Sequence, residues 1–237
     1  MNKLFETIKN IFSIEELRDR IINTIGFLVI FRLGSFVVLP GIDPSKLQQS
    51  AGGIFGLLDT FLGGAFSNAS IFALGIMPYI SASIVVQLLG VAMPYFQKLQ
   101  KEGDSGRKKM TQITRYLTIV ICMFQSTAYI SGTIPPEAIL VENKFLFTLS
   151  SLVILTSGTI FCMWLGEKIT DKGIGNGISM LIMIGIISRF PGSIVAEALS
   201  RGMNQALFFL IEIGFLFLVV MFTVMLVRAI RRIPVQY

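Results

Sequence analysis

The side chains able to do covalent chemistry are few, and their spacing argues against it. No histidine occurs among the 237 residues, which removes the commonest general base and the commonest metal ligand. Asp59 and Glu212 are the acids inside apolar runs. They lie far apart in unlike contexts and do not read as a carboxylate pair for acid–base work. Cys122 and Cys162 sit within apolar runs, where thiols are inert packing residues. No nucleophile lies beside a base, and no GxSxG is present. The glycine-rich GIGNG at 173–177 superficially resembles a phosphate loop, but it lacks the GKS or GKT end and follows no strand. The expectation is therefore no enzyme, no cofactor, no disulfide and no metal site. What remains is charge at membrane depth. Arg32 falls inside an apolar run, where a cation costs about 2.5–3.5 kcal/mol on insertion scales unless it faces protein or water. Snorkelling to a headgroup and a bundle-facing cation are both open for it.

The elements that carry these residues belong in a bilayer. With 53% hydrophobic and 14% charged residues and a mean hydropathy of +0.74, the chain cannot hide its apolar surface by folding on itself. The pivotal stretch runs from Phe55 to Phe96. It is almost wholly apolar, yet Gly56, Gly63, Gly64, Gly75, Gly90, Pro78 and Pro94 interrupt it, so one plain spanning helix is excluded. Two pieces are expected. Ile54 to Phe66 is a half-helix too short to cross about 30 Å of hydrocarbon, and Ile71 to Met93 is long enough to span. A half-helix joined to a proline-containing full helix lines or closes a cavity; a plain glycine-rich hairpin is the simpler alternative.

Along the rest of the chain, residues 1–20 read as an amphipathic helix on the membrane surface, with Leu4, Ile8, Ile11, Phe12 and Ile14 at near-helical spacing. Acidic residues interrupt it and no small-residue cleavage site follows, so it does not read as a cleavable signal. Further spans are expected at about 21–39, 113–131, 145–165, 178–187 and 206–227. They are separated by a polar loop at 97–115, a glycine-rich turn at 166–177 and the ArgPheProGly break at 189–192. Basic residues set the orientation. One side collects Lys3, Lys9, Arg18, Arg20, six in the 98–115 loop, Lys168, Lys172, Arg228, Arg231 and Arg232. The other has Lys46, Lys144, Arg189 and Arg201. The positive-inside rule then predicts an all-α membrane protein with six transmembrane helices and both termini cytoplasmic.

Six segments resemble one family. They are FRLGSF (31–36) followed by PGID (40–43), SIFALGIMPYISASI (70–84), QKEGDSGRKK (100–109), MWLGEKITDKGIGNGIS (163–179) and RRIPVQY (231–237). Together, in order and in register, they resemble the SecY family, the core subunit of the bacterial protein-conducting channel. The resemblance implies two inverted halves of five spans each, of which this sequence covers residues 21–190 as the first. An external connection at 191–205 follows, then a sixth span and the start of a cytoplasmic loop at 206–237. It implies a passive channel in the cytoplasmic membrane that translocates unfolded secretory proteins and inserts helices laterally.

Residue roles follow from the same resemblance. Half-helix 54–66 is similar to the plug, with Phe55, Leu58, Asp59, Phe61, Leu62 and Phe66. Helix 71–93 is similar to one side of a lateral gate, with Ser81, Ser83 and Gln87 as its polar flank. Ile76, Ile80, Ile178 and Ile182 are similar to an apolar pore ring; each pair is spaced to share a helix face, and an apolar ring gates by dewetting. Lys98, Lys101, Arg107, Lys108, Lys109, Arg231 and Arg232 become a cytoplasmic partner surface. The partners implied are the remaining half of the channel, small accessory membrane subunits, a translocation motor ATPase or a ribosome, signal peptides and nascent chains, and lipid. A secondary transporter with broken helices is the alternative; it predicts ionisable residues at a midplane site. A membrane scaffold would leave the isoleucines without a role.

Overall fold

The computed structural model describes residues 13–47, 56, 59–201 and 206–229. Most of the expected surface helix, Phe55 and Leu58 of the half-helix, and Arg231 and Arg232 lie outside the described residues. Seven α-helices occur among those described: α1 Glu15–Gly34, α2 Met77–Ala92, α3 Pro94–Lys101, α4 Asp104–Thr133, α5 Lys144–Lys172, α6 Gly177–Arg201 and α7 Ala206–Arg228. Extended pairing among them is limited to isolated bridges, Val38 with Ser70 and Ile42 with Ile139. The chain divides into two units, Met1–Arg189 and Phe190–Tyr237.

The first unit is organised by small residues. α4 buries Thr114, Thr118, Cys122, Ser126 and Ile130, each four residues on from the last. This stripe lets the α5 backbone come close, where Ser151, Leu155, Gly158, Thr159 and Cys162 are buried. The Cys122 thiol donates to Thr159 Oγ1 across the seam at 3.3 Å, and Thr118 satisfies its hydroxyl on the Thr114 carbonyl within its own helix. α2 presents Pro78, Ala82, Val86 and Gly90 at the same spacing. In lipid the hydrophobic effect does not drive such contacts, so close van der Waals packing and satisfied polar groups hold them.

Several boundaries differ from the sequence expectation, each for a local reason. α1 begins at Glu15 and ends at Gly34, without a break at residue 20 and short of Leu39. A side chain at Gly34 would run into the Phe72 ring, and the chain turns there into an extended piece. Leu39 N then donates to the Ala69 carbonyl and Ile71 N to the Val37 carbonyl. α2 starts at Met77 rather than Ile71 because Gly75 has φ +49 and Pro78, at the first turn, favours a helix start. The expected loop at 97–115 is two helices meeting at a tight corner at Glu102 and Gly103 (φ +66); its Lys, Arg and Gln residues are good helix formers. α5 runs to Lys172, through a stretch expected to be turn, because Gly166 supplies close approach to Ile178 rather than a break. Outside the helices, Asp43 accepts from both the backbone N and the hydroxyl of Ser45, which holds its carboxyl below the usual carboxylate range.

In the second unit the helix continues through Pro191 to Arg201, so ArgPheProGly does not end it; proline removes one donor there without stopping the helix. α7 is apolar on every side and its described side chains are nearly all exposed, as suits a helix facing lipid or other helices.

Among the described residues, three helices are long and apolar enough to cross a membrane: Lys144–Lys172, Gly177–Ser200 and Phe208–Arg228. A fourth is added if α2 and α3, bent by 98°, form one broken span. Six were expected. α1 carries Glu15, Glu16, Arg18, Asp19, Arg20 and Arg32, and the charge-free part of α4 is diluted by Gln125, Ser126, Thr127, Ser131 and Thr133, so neither meets the same standard.

Candidate functional site

An apolar cavity of about 240 Å³ lies within the first unit, lined by Phe31, Phe61, Leu62, Ile76, Met77, Ile80, Leu181 and Ile182. Three elements build it. α1 supplies Phe31, which stacks on Phe72 at 5.9 Å. The start of α2 supplies Ile76, 4% exposed, and Ile80, whose N–H donates to the Ile76 carbonyl, so the two share a face. α6 supplies Ile182. Ile178 is not part of the lining; it packs with Leu165, Ile169 and Leu181 and against Gly166. Its i, i+4 relation to Ile182 put both on one helix face, but the tight α5–α6 turn draws only Ile178 into the helix contact.

Phe61 and Leu62 close one side of this cavity, from the end of the short half-helix. Residues 59–61 are helical and the chain then turns through 62–69, with Gly63 and Gly64 at φ +62 and +94, a region that penalises any side chain. Asp59, buried, pairs through Oδ2 with Arg189 Nη1 at 2.7 Å and accepts Ser67 N–H on Oδ1 at 2.8 Å. Arg32 donates to the Gly63 carbonyl at 2.6 Å and lies over the Phe36 ring; it faces the bundle, which decides between its two readings. Phe66 is buried against Tyr129, ring centroids 4.8 Å apart, and the Tyr129 hydroxyl donates to the Phe66 carbonyl at 2.7 Å. Phe66 thus belongs to the fixed side of the turn. Sequence reasoning missed Arg189, assigned to the external surface. A buried acid with no basic neighbour in sequence was the signal that a distant cation was needed.

On α2, Ser81 and Ser83 are half-buried and Gln87 exposed. Gln87 Nε2 donates to Ser83 Oγ at 3.1 Å, so these two share a face and Ser81 stands apart from them. Lys98, Lys101, Arg107, Lys108 and Lys109 are exposed around the α3–α4 corner, with Lys109 within 3.6 Å of Glu102. The GIGNG turn holds no phosphate cradle. Three of its N–H groups are taken, Gly173 N by the Ile169 carbonyl, Ile174 N by Thr24 Oγ1 and Gly177 N by Thr170 Oγ1, and beyond it Ser179 N donates to Asn176 Oδ1, an N-terminal cap for α6.

Two solved structures share this arrangement of helices. One is described as Sec61 in the canine ribosome-channel complex from the endoplasmic reticulum, with a TM-score of 0.64 at 18% identity, covering 92% of this chain and 49% of the other. The second is described as the structure of a protein conducting channel, with a TM-score of 0.57 at 19% identity over 80% of this chain and 41% of the other. At those identities the likeness is one of fold alone. The sequence matches are nearer. Protein translocase subunit SecY of Escherichia coli strain K12 is 45% identical over 231 residues, 94% of this chain and 52% of its own length. That of Vibrio cholerae is 46% identical over 234 residues, 95% and 52%. The SecY family model matches residues 70–237, and the chain belongs to the SecY family. It spans about half the length of these curated relatives.

Proposed function

We infer that this chain supplies the plug-bearing half of a protein-conducting channel. The channel passes unfolded secretory proteins across the cytoplasmic membrane and releases helices sideways into it. The observation that carries this reading is the cavity walled by Ile76, Ile80 and Ile182 and covered by Phe61 and Leu62. An apolar constriction blocks ions by dewetting while its side chains can part around a polypeptide. A transporter site would place ionisable groups in this lining, and the lining is apolar.

In this reading the residues ahead of α1 lie on the cytoplasmic surface, α1, α2, α4, α5 and the first part of α6 form the five spans, with plug 54–66 and α2 as the gate helix, the end of α6 leads into the external connection, and 206–237 form the sixth span and the next loop. α1 and α4 count as spans because their charges lie at the cytoplasmic ends or, for Arg32, face protein. The excess of Lys and Arg on one side supports cytoplasmic termini. Ser83 and Gln87 form the gate's polar flank, with Ser81 on another face of the same helix, and Ile178 steadies the ring from the helix contact behind it. The basic corner, with Arg231 and Arg232, meets a ribosome or motor ATPase. The remaining half of the channel, small accessory subunits, signal peptides, nascent chains and lipid complete the partners. Energy comes from the partner.

The test is ion conductance of the reconstituted chain with the carboxy-terminal half supplied, with and without deletion of Ile54 to Phe66. The deletion is expected to turn a quiet membrane leaky. Equal, silent membranes would remove the seal and reopen the scaffold reading.

A further inference from the structure

The half-helix is gripped at its hinge by two guanidinium groups from different helices. Arg32 of α1 takes the Gly63 carbonyl at 2.6 Å, at the negative end of the half-helix dipole. Arg189 of α6 bridges the hinge: Nη1 reaches Asp59 on one side at 2.7 Å and Nη2 reaches Ser67 Oγ on the other at 3.2 Å. The two glycines make this grip possible. A side chain at Gly64 would meet the Arg189 guanidinium, and one at Gly63 would meet Arg32 and the Gly185 carbonyl. Apolar contact adds to this grip from the same turn, where Leu62 is 7% exposed and Phe61 46%.

We propose that Arg189, assisted by Arg32, is the latch that sets how readily the half-helix leaves its seat. The proposal rests on the channel reading for what the half-helix does, and on the observed contacts for how it is held. Swinging the half-helix off α6 pulls Asp59, 6% exposed, from its cation. A buried carboxylate without a partner is costly, and while the Arg189 side chain is 39% exposed that of Asp59 is 9%, so the swing waits until water reaches the carboxylate. Release is therefore governed by hydration of an ion pair, a step distinct from the parting of apolar walls around Ile76 and Ile182.

The experiment is amide hydrogen exchange on the full chain in lipid nanodiscs with the carboxy-terminal half, comparing D59N, R189Q and the exchanged pair D59R/R189D. Each single variant is expected to speed exchange over residues 59–69 by about tenfold, the weight of one charged hydrogen bond, while α4 and α5 keep their protection. The exchanged pair is expected to recover part of the loss. Unchanged exchange in both single variants overturns the latch. So does loosening that spreads equally through α4 and α5, or an exchanged pair that recovers nothing while those helices stay protected. The channel reading fails separately, if deleting Ile54 to Phe66 leaves the membrane quiet, and the exchange result still decides the latch.

Discussion

The α4–α5 seam and the hinge at residues 59–67 are both buried contacts, built from opposite materials. The seam is made of small side chains and hydroxyls, with Leu155 wholly buried and Thr118 satisfied on its own helix. The hinge is made of a carboxylate, two guanidiniums and a carbonyl. Dispersion contacts in the seam have no substitute in lipid and give no reason to part. Water can replace each bond of the hinge one for one. A permanent joint and a releasable one are thus distinguished by whether solvent can stand in for the partner.

The largest test of that contrast is Leu155→Ala. A cavity in the seam is expected to cost about 2–5 kcal/mol, lowering the thermal midpoint of the whole unit; a melting curve displaced only at the hinge would erase the distinction. Gly64→Ala comes next. It forces a side chain to φ +94, for about 1–2 kcal/mol, and pushes on Arg189. The expected signature is local, faster exchange over 59–69 with the global midpoint nearly unchanged. The smallest effect is expected for Glu167→Gln. Arg115 holds Glu167 through two bonds, 3.0 and 2.6 Å, but both side chains are partly exposed, at 46% and 24%. Its loss should cost no more than about 1 kcal/mol, fading with added salt, as read by melting at two ionic strengths.

The sequence made some of this plain and left some of it hidden, for physical reasons. Apolar runs and glycine–proline breaks encode helices locally, so a break ahead of Pro78 and a helix after it were visible in the 55–96 stretch. The resemblance pointed to Ile76, Ile80 and Ile182, now found around one cavity, but a helical period alone cannot say which of two isoleucines a neighbouring helix claims. Ile178 went to α5 because Gly166 makes room there. Arg189 and Asp59 are 130 positions apart, and no local pattern marks such a pairing. The 97–115 corner was misread as a loop because glycine and acidic residues signal turns over a few positions, whereas helix propensity is summed over whole turns.

The bend between α2 and α3 has a mechanical consequence. The corner is braced across the bend: Gln97 Nε2 donates to the Val91 carbonyl at 2.7 Å, and the Gln100 side chain lies directly against Gly90. Two rigid arms at 98° make a bell crank. Since an eight-residue helix is about 12 Å long, tipping α2 by about ten degrees carries the far end of α3 through about 2 Å. Tilt of α2 is thereby converted into displacement of the exposed Lys98 and Lys101 on α3, and a push there is converted back into tilt.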